Sequence, residues 1–185
     1  APLALTGPCP ATTINVPQGD SGWVDSQIRQ QGIGEQGYVL IYPCLAEGGA
    51  TDRYPTEGWI AIAQDFQKRQ PGLPLVLLQQ PETADAVKAI AQAVSNSKLI
   101  RPENLGQTAA LVAGANLVLT TDSYVSELGV ALSVFTLALF GHSSPERRLP
   151  PVNESEQRFL GVTSGQGTVA DIPVATVLQK VWGEG

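Results

Sequence analysis

The chain has 185 residues, of which 43% are hydrophobic and 15% charged, and its net charge at pH 7 is −6. This composition excludes a disordered chain, and the eleven Lys and Arg residues are scattered rather than clustered into a basic face for a nucleic-acid backbone. No apolar stretch approaches the roughly 20 residues that a transmembrane helix needs. We therefore expect a globular domain with no nucleic-acid partner and no transmembrane segment.

The amino-terminal segment, residues 1–37, differs in composition from the rest of the chain. It is rich in Pro and Gly and shows little hydrophobic periodicity before Trp23, although Ser21–Gln31 could form a short helix. We interpret it as a linker or interdomain segment, followed by one regular domain over residues 38–185. Because the chain begins at Ala1 and contains no Met, we also expect sequence upstream: a processed leader, a trimmed start or a whole domain.

The cysteine and histidine content is too low for a structural zinc site. The chain has two cysteines, Cys9 and Cys44, and a single histidine, His142, far from both in sequence. A closed zinc site takes four such ligands, so the sequence predicts no metal site. It leaves two alternatives open for the cysteines, a Cys9–Cys44 disulfide or two reduced thiols.

From residue 38 onward, short apolar runs alternate with amphipathic segments. Runs that are apolar throughout are typical of strands buried on both faces of a parallel sheet, and strand–helix alternation indicates an α/β fold. We therefore predict a three-layer, Rossmann-like α/β domain with a mostly parallel sheet and a closing helix that is capped by Asp171. The predicted strands are Tyr38–Tyr42, Leu73–Leu78, Leu99–Ile100, Asn116–Thr120, Val134–Phe140 and Phe159–Val162, and the main helices are Thr56–Arg69, Glu82–Val94 and Leu105–Ala113.

The strongest candidate for a ligand contact is Asp122. It stands within Thr121-Asp122-Ser123, directly after a buried strand and before a helix of small residues. In an open parallel sheet, ligands bind beyond the carboxyl ends of the strands, often at a helix amino terminus. Asp122 could bind a sugar hydroxyl or an amine there, or it could be the N-cap of the helix, and the two roles are compatible.

A second group of polar residues follows the next predicted strand. Gly141 ends that strand, and His142, Ser143 and Ser144 come next, where His142 is either an exposed loop residue or a ligand contact. The loop arginines Arg53, Arg147 and Arg148 either face water or pair with a phosphate. The GxGxxG pattern over residues 32–37 precedes a strand instead of following one, so we interpret it as a flexible loop and not as a dinucleotide site.

These motifs together resemble a known family. The order of helix, strand, Asp122-Ser123, small-residue helix, strand, Phe140-Gly141 and Ser144-Pro145-Glu146-Arg147 is similar to the carboxy-terminal domain of glycosyltransferase family 9, the ADP-heptose:lipopolysaccharide heptosyltransferases and their relatives. Asp171-Ile172-Pro173 before the last helix is also similar. The resemblance covers about residues 38–182.

The resemblance implies the donor-binding half of a bacterial GT-B enzyme that acts in lipopolysaccharide biosynthesis. A nucleotide sugar would be the substrate, no cofactor would be needed, and an upstream amino-terminal domain would hold the acceptor and the catalytic base. On this reading the chain is inactive by itself. A cytoplasmic location is implied, with peripheral association to the inner membrane as a further option.

The same resemblance implies which residues bind the donor. The catalytic residues are unknown from this chain, because the family's base lies on the other domain. The implied donor-binding residues are Thr121, Asp122, Ser123, Arg53, Gly141, His142, Ser143 and Ser144, with Arg53 supplying positive charge.

The chain departs from the family pattern at several positions near the expected diphosphate. After Asp122-Ser123 the family has Gly, Pro and, two residues later, His, where this chain has Tyr124, Val125 and Glu127. Asp52 stands where the family has a lysine. These replacements add bulk or negative charge, so they motivate an alternative: a catalytically degenerate GT-B-like domain that acts as a binding or assembly module.

Overall fold

The computed structural model describes residues 13–44, 52–150, 158–165 and 167–183. Within these ranges the chain alternates between strands and helices, as its hydrophobic pattern predicts. The strands are β1 (Val39–Tyr42), β2 (Leu75–Leu78), β3 (Ser97–Ile100), β4 (Leu117–Thr121), β5 (Thr136–Phe140) and β6 (Phe159–Thr163). The helices are α1 (Gln18–Gln30), α2 (Thr56–Arg69), α3 (Ala84–Ala93), α4 (Leu105–Ala113), α5 (Tyr124–Ala131), α6 (Pro145–Arg148) and α7 (Val174–Trp182).

The six strands form one parallel sheet in the order β3-β2-β1-β4-β5-β6. Strand β1 lies in the middle, where Val39 is in register with Leu75 of β2 and with Leu117 of β4. The predicted Rossmann-like α/β fold is therefore confirmed. Because all strands are parallel, their last residues share one edge of the sheet, here named the carboxyl edge, and their first residues share the opposite, amino edge.

Helices cover both faces of the sheet, which explains why the strands are apolar at every position. On one face Ile41 packs with α2, α3 and α7, as the buried side chains of Trp59 and Val177 show. On the other face Leu40 packs with α1, α4 and α5, through residues such as Leu111. Successive residues of a strand point to opposite faces, so both sets must be hydrophobic.

Two predicted helix starts are wrong in detail. Asp171 does not cap α7, because it ends a 3₁₀ turn over Val169–Asp171 and Pro173 occupies the N-cap position. The predicted helix from Glu82 begins as a 3₁₀ turn over Pro81–Thr83, and the α-helix starts at Ala84. Helix boundaries depend on local caps that periodicity does not resolve.

Helix α1 lies within the segment that composition marks as a linker. It packs against α4, and its Val24 is buried in the same core cluster as Leu111. Ile33, which follows the helix, is also buried there. The boundary near residue 37 stays a prediction, and Cys9 lies outside the described residues. Among those that are described, no helix has the length and hydrophobicity to cross a bilayer.

Candidate functional site

The order of the strands makes the carboxyl edge the candidate ligand-binding edge. From β1 the chain proceeds to β2 and β3 on one side, and it then crosses back to β4, β5 and β6 on the other side. Such a reversal opens a crevice beyond the strand ends, where open α/β sheets bind their ligands. The segments that follow β1, β4 and β5 meet beside this crevice.

Asp122 follows β4 at this edge and its carboxylate is held by two partners. The residue is only 1% exposed, and its backbone amide donates to the Leu139 carbonyl at 2.8 Å. The hydroxyl of Ser143 donates to Asp122 Oδ2, and Arg148 Nε lies 3.7 Å from the same oxygen. A buried carboxylate needs such partners to offset its lost hydration. The residue at the N-cap of α5 is Ser123, so the N-cap role considered for Asp122 is wrong.

Arg148, at the end of α6, connects Asp122 with α5. Its Nη1 atom lies 3.2 Å from Glu127 Oε1, while its Nε faces Asp122. The interpretation of this residue as a loop arginine that simply faces water is therefore wrong. Its guanidinium balances two carboxylates, one buried and one exposed, so the replacement of a family histidine by Glu127 is accompanied by a nearby cation.

Thr121 and Cys44 join the ends of β4 and β1. The hydroxyl of Thr121 donates to the Cys44 carbonyl at 3.3 Å, and Thr121 Oγ1 lies 2.8 Å from Cys44 Sγ. Burial raises the pKa of the Cys44 thiol, although the hydrogen bond to Thr121 opposes this shift. Cys44 is a free, buried thiol. Thr121 is itself fully buried, so its visible role is to fix the two strand ends.

Asp52 is a buried carboxylate that the residue pattern alone does not single out as a site residue. It is 3% exposed, and its Oδ1 accepts a hydrogen bond from the Val169 amide at 2.8 Å. Its Oδ2 lies 3.2 Å from His142 Nδ1. Gly141 lies against the same carboxylate, because a Cβ at this position would overlap Asp52 Oδ2. Asp52 and His142 are 90 residues apart, and no local signal in the sequence connects them.

The loop after β5 is thus held at two adjacent residues by two different carboxylates. His142 contacts Asp52, and Ser143 contacts Asp122. This arrangement brings four of the predicted site residues, Asp122, Gly141, His142 and Ser143, to one place. Ser144 lies at the N-cap of α6 and its hydroxyl donates to Glu146, and Arg53 is exposed next to Asp52.

A cavity of about 220 Å³ lies at the same edge, on the side of β2 and β3. Tyr124 lines it and is 39% exposed, and its ring meets the Tyr42 ring edge-on at 5.7 Å. The Tyr42 hydroxyl donates to Glu82 at 2.8 Å. The pKa of Tyr42 is raised, mainly by burial and to a smaller extent by this hydrogen bond. The cavity is further lined by Gln80, Glu103, Asn104, Leu105 and Thr108.

Another cavity, of about 450 Å³, lies beside the edge strand β6. Its walls come mainly from apolar residues of β6 and of residues 145–150, with Glu146, Thr163 and Lys180 as the polar side chains. Neither Asp52 nor Asp122 lines this larger cavity, so it is separate from the crevice at the carboxyl edge. In the described part of the chain, no three His, Cys, Asp or Glu side chains cluster as metal ligands do.

The sequence comparison decides the family. Residues 15–170 match the model of glycosyltransferase family 9 (heptosyltransferase). The chain belongs to glycosyltransferase family 9. The family match begins before residue 37 and so includes α1. A comparison with curated proteins finds no significant match.

Solved structures of family 9 proteins share the fold of this glycosyltransferase family member. The glycosyl transferase family 9 from Veillonella parvula DSM 2008 is 17% identical with a TM-score of 0.77, over 92% of this chain and 53% of that one. E. coli ADP-heptose lps heptosyltransferase II is 20% identical with a TM-score of 0.71, over 97% and 55%. E. coli heptosyltransferase WaaC with ADP-2-deoxy-2-fluoro heptose is 17% identical with a TM-score of 0.63, over 80% and 44%. This family 9 chain thus spans about half the length of these proteins.

Proposed function

We propose that this family 9 chain is the nucleotide-sugar donor-binding domain of a heptosyltransferase-like glycosyltransferase. Family membership and the parallel sheet with its crevice support the proposal. A neighbour of the same fold, E. coli heptosyltransferase WaaC, is solved with ADP-2-deoxy-2-fluoro heptose. An amino-terminal GT-B domain would hold the acceptor and the catalytic base. A cytoplasmic location and peripheral association with the inner membrane belong to the same proposal.

The observation that carries the proposal is the position of Asp122. Its carboxylate lies at the carboxyl edge, directly before the amino terminus of α5, and Ser143 and Arg148 both contact its Oδ2. Oδ1 is therefore the oxygen assigned to a donor hydroxyl, and Ser123 supplies a second polar group beside it. The first amides of α5 point towards the crevice, where a helix amino terminus favours an anionic group. The loop Gly141–Ser144 and Arg53 complete the proposed donor site.

A degenerate binding or assembly module remains the second candidate, and a specific observation favours it. The Asp122 carboxylate already has protein partners, and Tyr124 occupies the position at which the family has a glycine. A tyrosine adds bulk where a backbone would otherwise approach a diphosphate closely. On this alternative the fold is retained, and nucleotide sugars do not bind.

Calorimetric titration with ADP, UDP and their sugar conjugates distinguishes the two candidates. The donor-binding proposal predicts saturable binding in the micromolar range, weakened about tenfold or more in Asp122→Ala, since a hydrogen-bonded carboxylate contact is lost. Glu35→Ala is the matched control, because it removes one exposed carboxylate before β1 at the amino edge and should leave the affinity unchanged. Millimolar or weaker binding of every nucleotide would exclude the donor-binding proposal.

A further inference from the structure

We propose that Asp52 and His142 form a single unit that binds the diphosphate of the donor. Asp52 is the positioning residue, and His142, as an imidazolium, donates a hydrogen bond from Nε2 to a phosphoryl oxygen. This inference rests on the proposed function, and it adds an anion contact that is distinct from the Asp122 half of the site.

The first step of the argument is that Asp52 is fixed. Its side chain is almost fully buried, and its Oδ1 accepts from the Val169 amide at 2.8 Å, just before the last helix. The carboxylate thus connects the segment after β1 with the segment after β6. A buried carboxylate is costly unless its oxygens are hydrogen-bonded, so its remaining oxygen requires a donor.

The second step is that the histidine ring meets this requirement. His142 Nδ1 lies 3.2 Å from Asp52 Oδ2, and a carboxylate can only accept, so Nδ1 carries the proton. The contact therefore fixes both the orientation of the ring and its tautomer. Nε2, on the opposite side of the ring, is the nitrogen that can reach a ligand.

The third step is that the ring is accessible from the crevice. The His142 side chain is 66% exposed, whereas Asp52 beneath it is 2% exposed at its side chain. Glycines flank the pair: Gly141 leaves room for the Asp52 carboxylate, and a Cβ at Gly167 would lie 3.9 Å from His142 Nε2. Gly167 has a φ of +92°, so the loop that approaches His142 adopts a backbone conformation that favours glycine.

The fourth step concerns the charge of the ligand. As an imidazolium, His142 donates to Asp52 through Nδ1 and can donate to an anion through Nε2. The neighbouring cation, Arg148, is engaged with Asp122 and Glu127. Besides the first amides of α5 and the exposed Arg53, His142 is therefore placed to give the diphosphate a further hydrogen-bond donor at this edge. The complete unit is a buried acceptor, an oriented ring and an exposed Nε2 atom.

The first experiment reads the ring directly. His142 is the single histidine of the chain, so its two ring nitrogens can be assigned without ambiguity in a long-range ¹H–¹⁵N spectrum of the 185-residue protein. We expect a protonated, hydrogen-bonded Nδ1, and we expect its signal to move in Asp52→Asn, which removes the negative charge and keeps the shape. Addition of pyrophosphate should shift Nε2. A ring with its proton on Nε2 alone, or a ring that stays singly protonated when pyrophosphate is added, would contradict the proposal.

The second experiment measures the affinity for ADP and for inorganic pyrophosphate. We expect His142→Ala to weaken both about tenfold, because a charge-assisted hydrogen bond is lost, and Asp52→Asn to weaken both by about threefold. Lys68→Ala is the matched control, since Lys68 is exposed in the last turn of α2. That turn lies towards the amino edge, so no change in affinity is expected.

The outcomes separate this inference from the proposed function. If ADP binds and depends on Asp122 but is unaffected by His142→Ala, the Asp52–His142 inference is wrong and the donor-binding proposal stands. If pyrophosphate binds in a His142-dependent manner while no nucleotide binds, the anion contact stands and the nucleotide-sugar proposal fails. If neither ligand binds, both are wrong.

Discussion

The two edges of the sheet show how differently one fold can use polar side chains. At the amino edge, Asn116 accepts from the Tyr38 amide at 3.0 Å and donates to the Gln36 carbonyl at 3.1 Å. These groups are neutral and pair with backbone. At the carboxyl edge, the buried polar side chains include the carboxylates of Asp52 and Asp122. Their partners include side chains that are partly or largely exposed: His142, Ser143 and Arg148.

The difference concerns the free energy of burial. A neutral amide paired on both sides adds a modest net stability of about 0.5–1.5 kcal/mol per hydrogen bond. A buried carboxylate loses its hydration, which its partners offset only in part, and an apolar pair of the same shape would often serve folding better. The polar pairs at the amino edge are therefore the kind that stabilise a fold, whereas the carboxyl edge retains ionisable groups at the proposed donor site.

The largest effect on stability is expected at the amino edge, from Gly37→Ala. Gly37 has a φ of +78°, and a Cβ there would overlap the side chain of Asn116. We expect a loss of about 3 kcal/mol, the sum of left-handed backbone strain and overpacking. Chemical denaturation monitored by circular dichroism measures this loss.

Gly32→Ala is the matched control for this prediction. Gly32 has a φ of +67°, but a Cβ there would meet nothing within 4 Å. Only the backbone strain of about 1–2 kcal/mol should appear. Equal losses of stability in the two variants would show that Asn116 can move away from an added Cβ at Gly37 at no cost.

A smaller effect on stability is expected from two buried tyrosines, one beside the amino edge and one in the segment that follows β1 at the carboxyl edge. The Tyr38 hydroxyl, beside the amino edge, donates to the Leu111 carbonyl at 2.5 Å. The buried Tyr54 hydroxyl, in the segment that follows β1, has no partner among the residues described. Tyr38→Phe should therefore cost about 1 kcal/mol, while Tyr54→Phe should be neutral or stabilising, since no hydrogen bond is lost. Thermal and urea unfolding of the two variants measures the difference.

The stability difference between the wild type and Tyr54→Phe should depend on pH, and this dependence tests whether Tyr54 is buried. Burial raises the pKa of Tyr54 to about 12 from its ordinary value of 10.0. The stability gained from keeping this hydroxyl neutral is complete below pH 10 and is lost as the pH rises towards 12. The advantage of Tyr54→Phe over the wild type should therefore grow between pH 10 and 12. A stability difference that stays constant between pH 10 and 12 would contradict the burial of the Tyr54 hydroxyl.

The smallest expected effect is a kinetic one, at Cys44. Because burial raises the pKa of this thiol, alkylation by iodoacetamide at pH 8 should be at least about tenfold slower than in urea-unfolded protein. Mass spectrometry of the tryptic peptide 30–53 reports Cys44 separately from Cys9, which falls in peptide 1–29. Rapid labelling of the folded protein would show that the end of β1 opens, and that the carboxyl edge is less closed than described.

Most of the architecture could be predicted from the sequence, since buried parallel strands are apolar at every position. Tyr38–Tyr42 and Leu75–Leu78 show this pattern clearly. The packing of α1 could not be predicted, because the helix contains two Gly residues and few apolar ones. Its buried residue, Val24, gives no visible hydrophobic periodicity. The N-cap position of α5 differs by one residue from the Asp122 alternative, since Asp and Ser are both good N-caps.

The candidate site divides in the same way. The position of Asp122 and of the loop that begins at Gly141 at the carboxyl edge could be predicted, because each follows a strand directly and parallel strands end at one edge. Their role in binding stays a prediction. Asp52 could not, because it follows β1 after a long connection and its partners, His142 and Val169, are distant in sequence. For a similar reason, neither alternative for Arg148, solvent or a phosphate, included its contacts with Asp122 and Glu127.

The strand–helix alternation, the resemblance to family 9 and the residues that end β4 and β5 all follow from local pattern, so the amino-acid sequence is enough to predict them. Which carboxylates are buried, and which side chains contact them, follows only from the folded chain. Burial and hydrogen bonding are properties of contacts between distant segments, and here they pair His142 with Asp52 and Ser143 with Asp122.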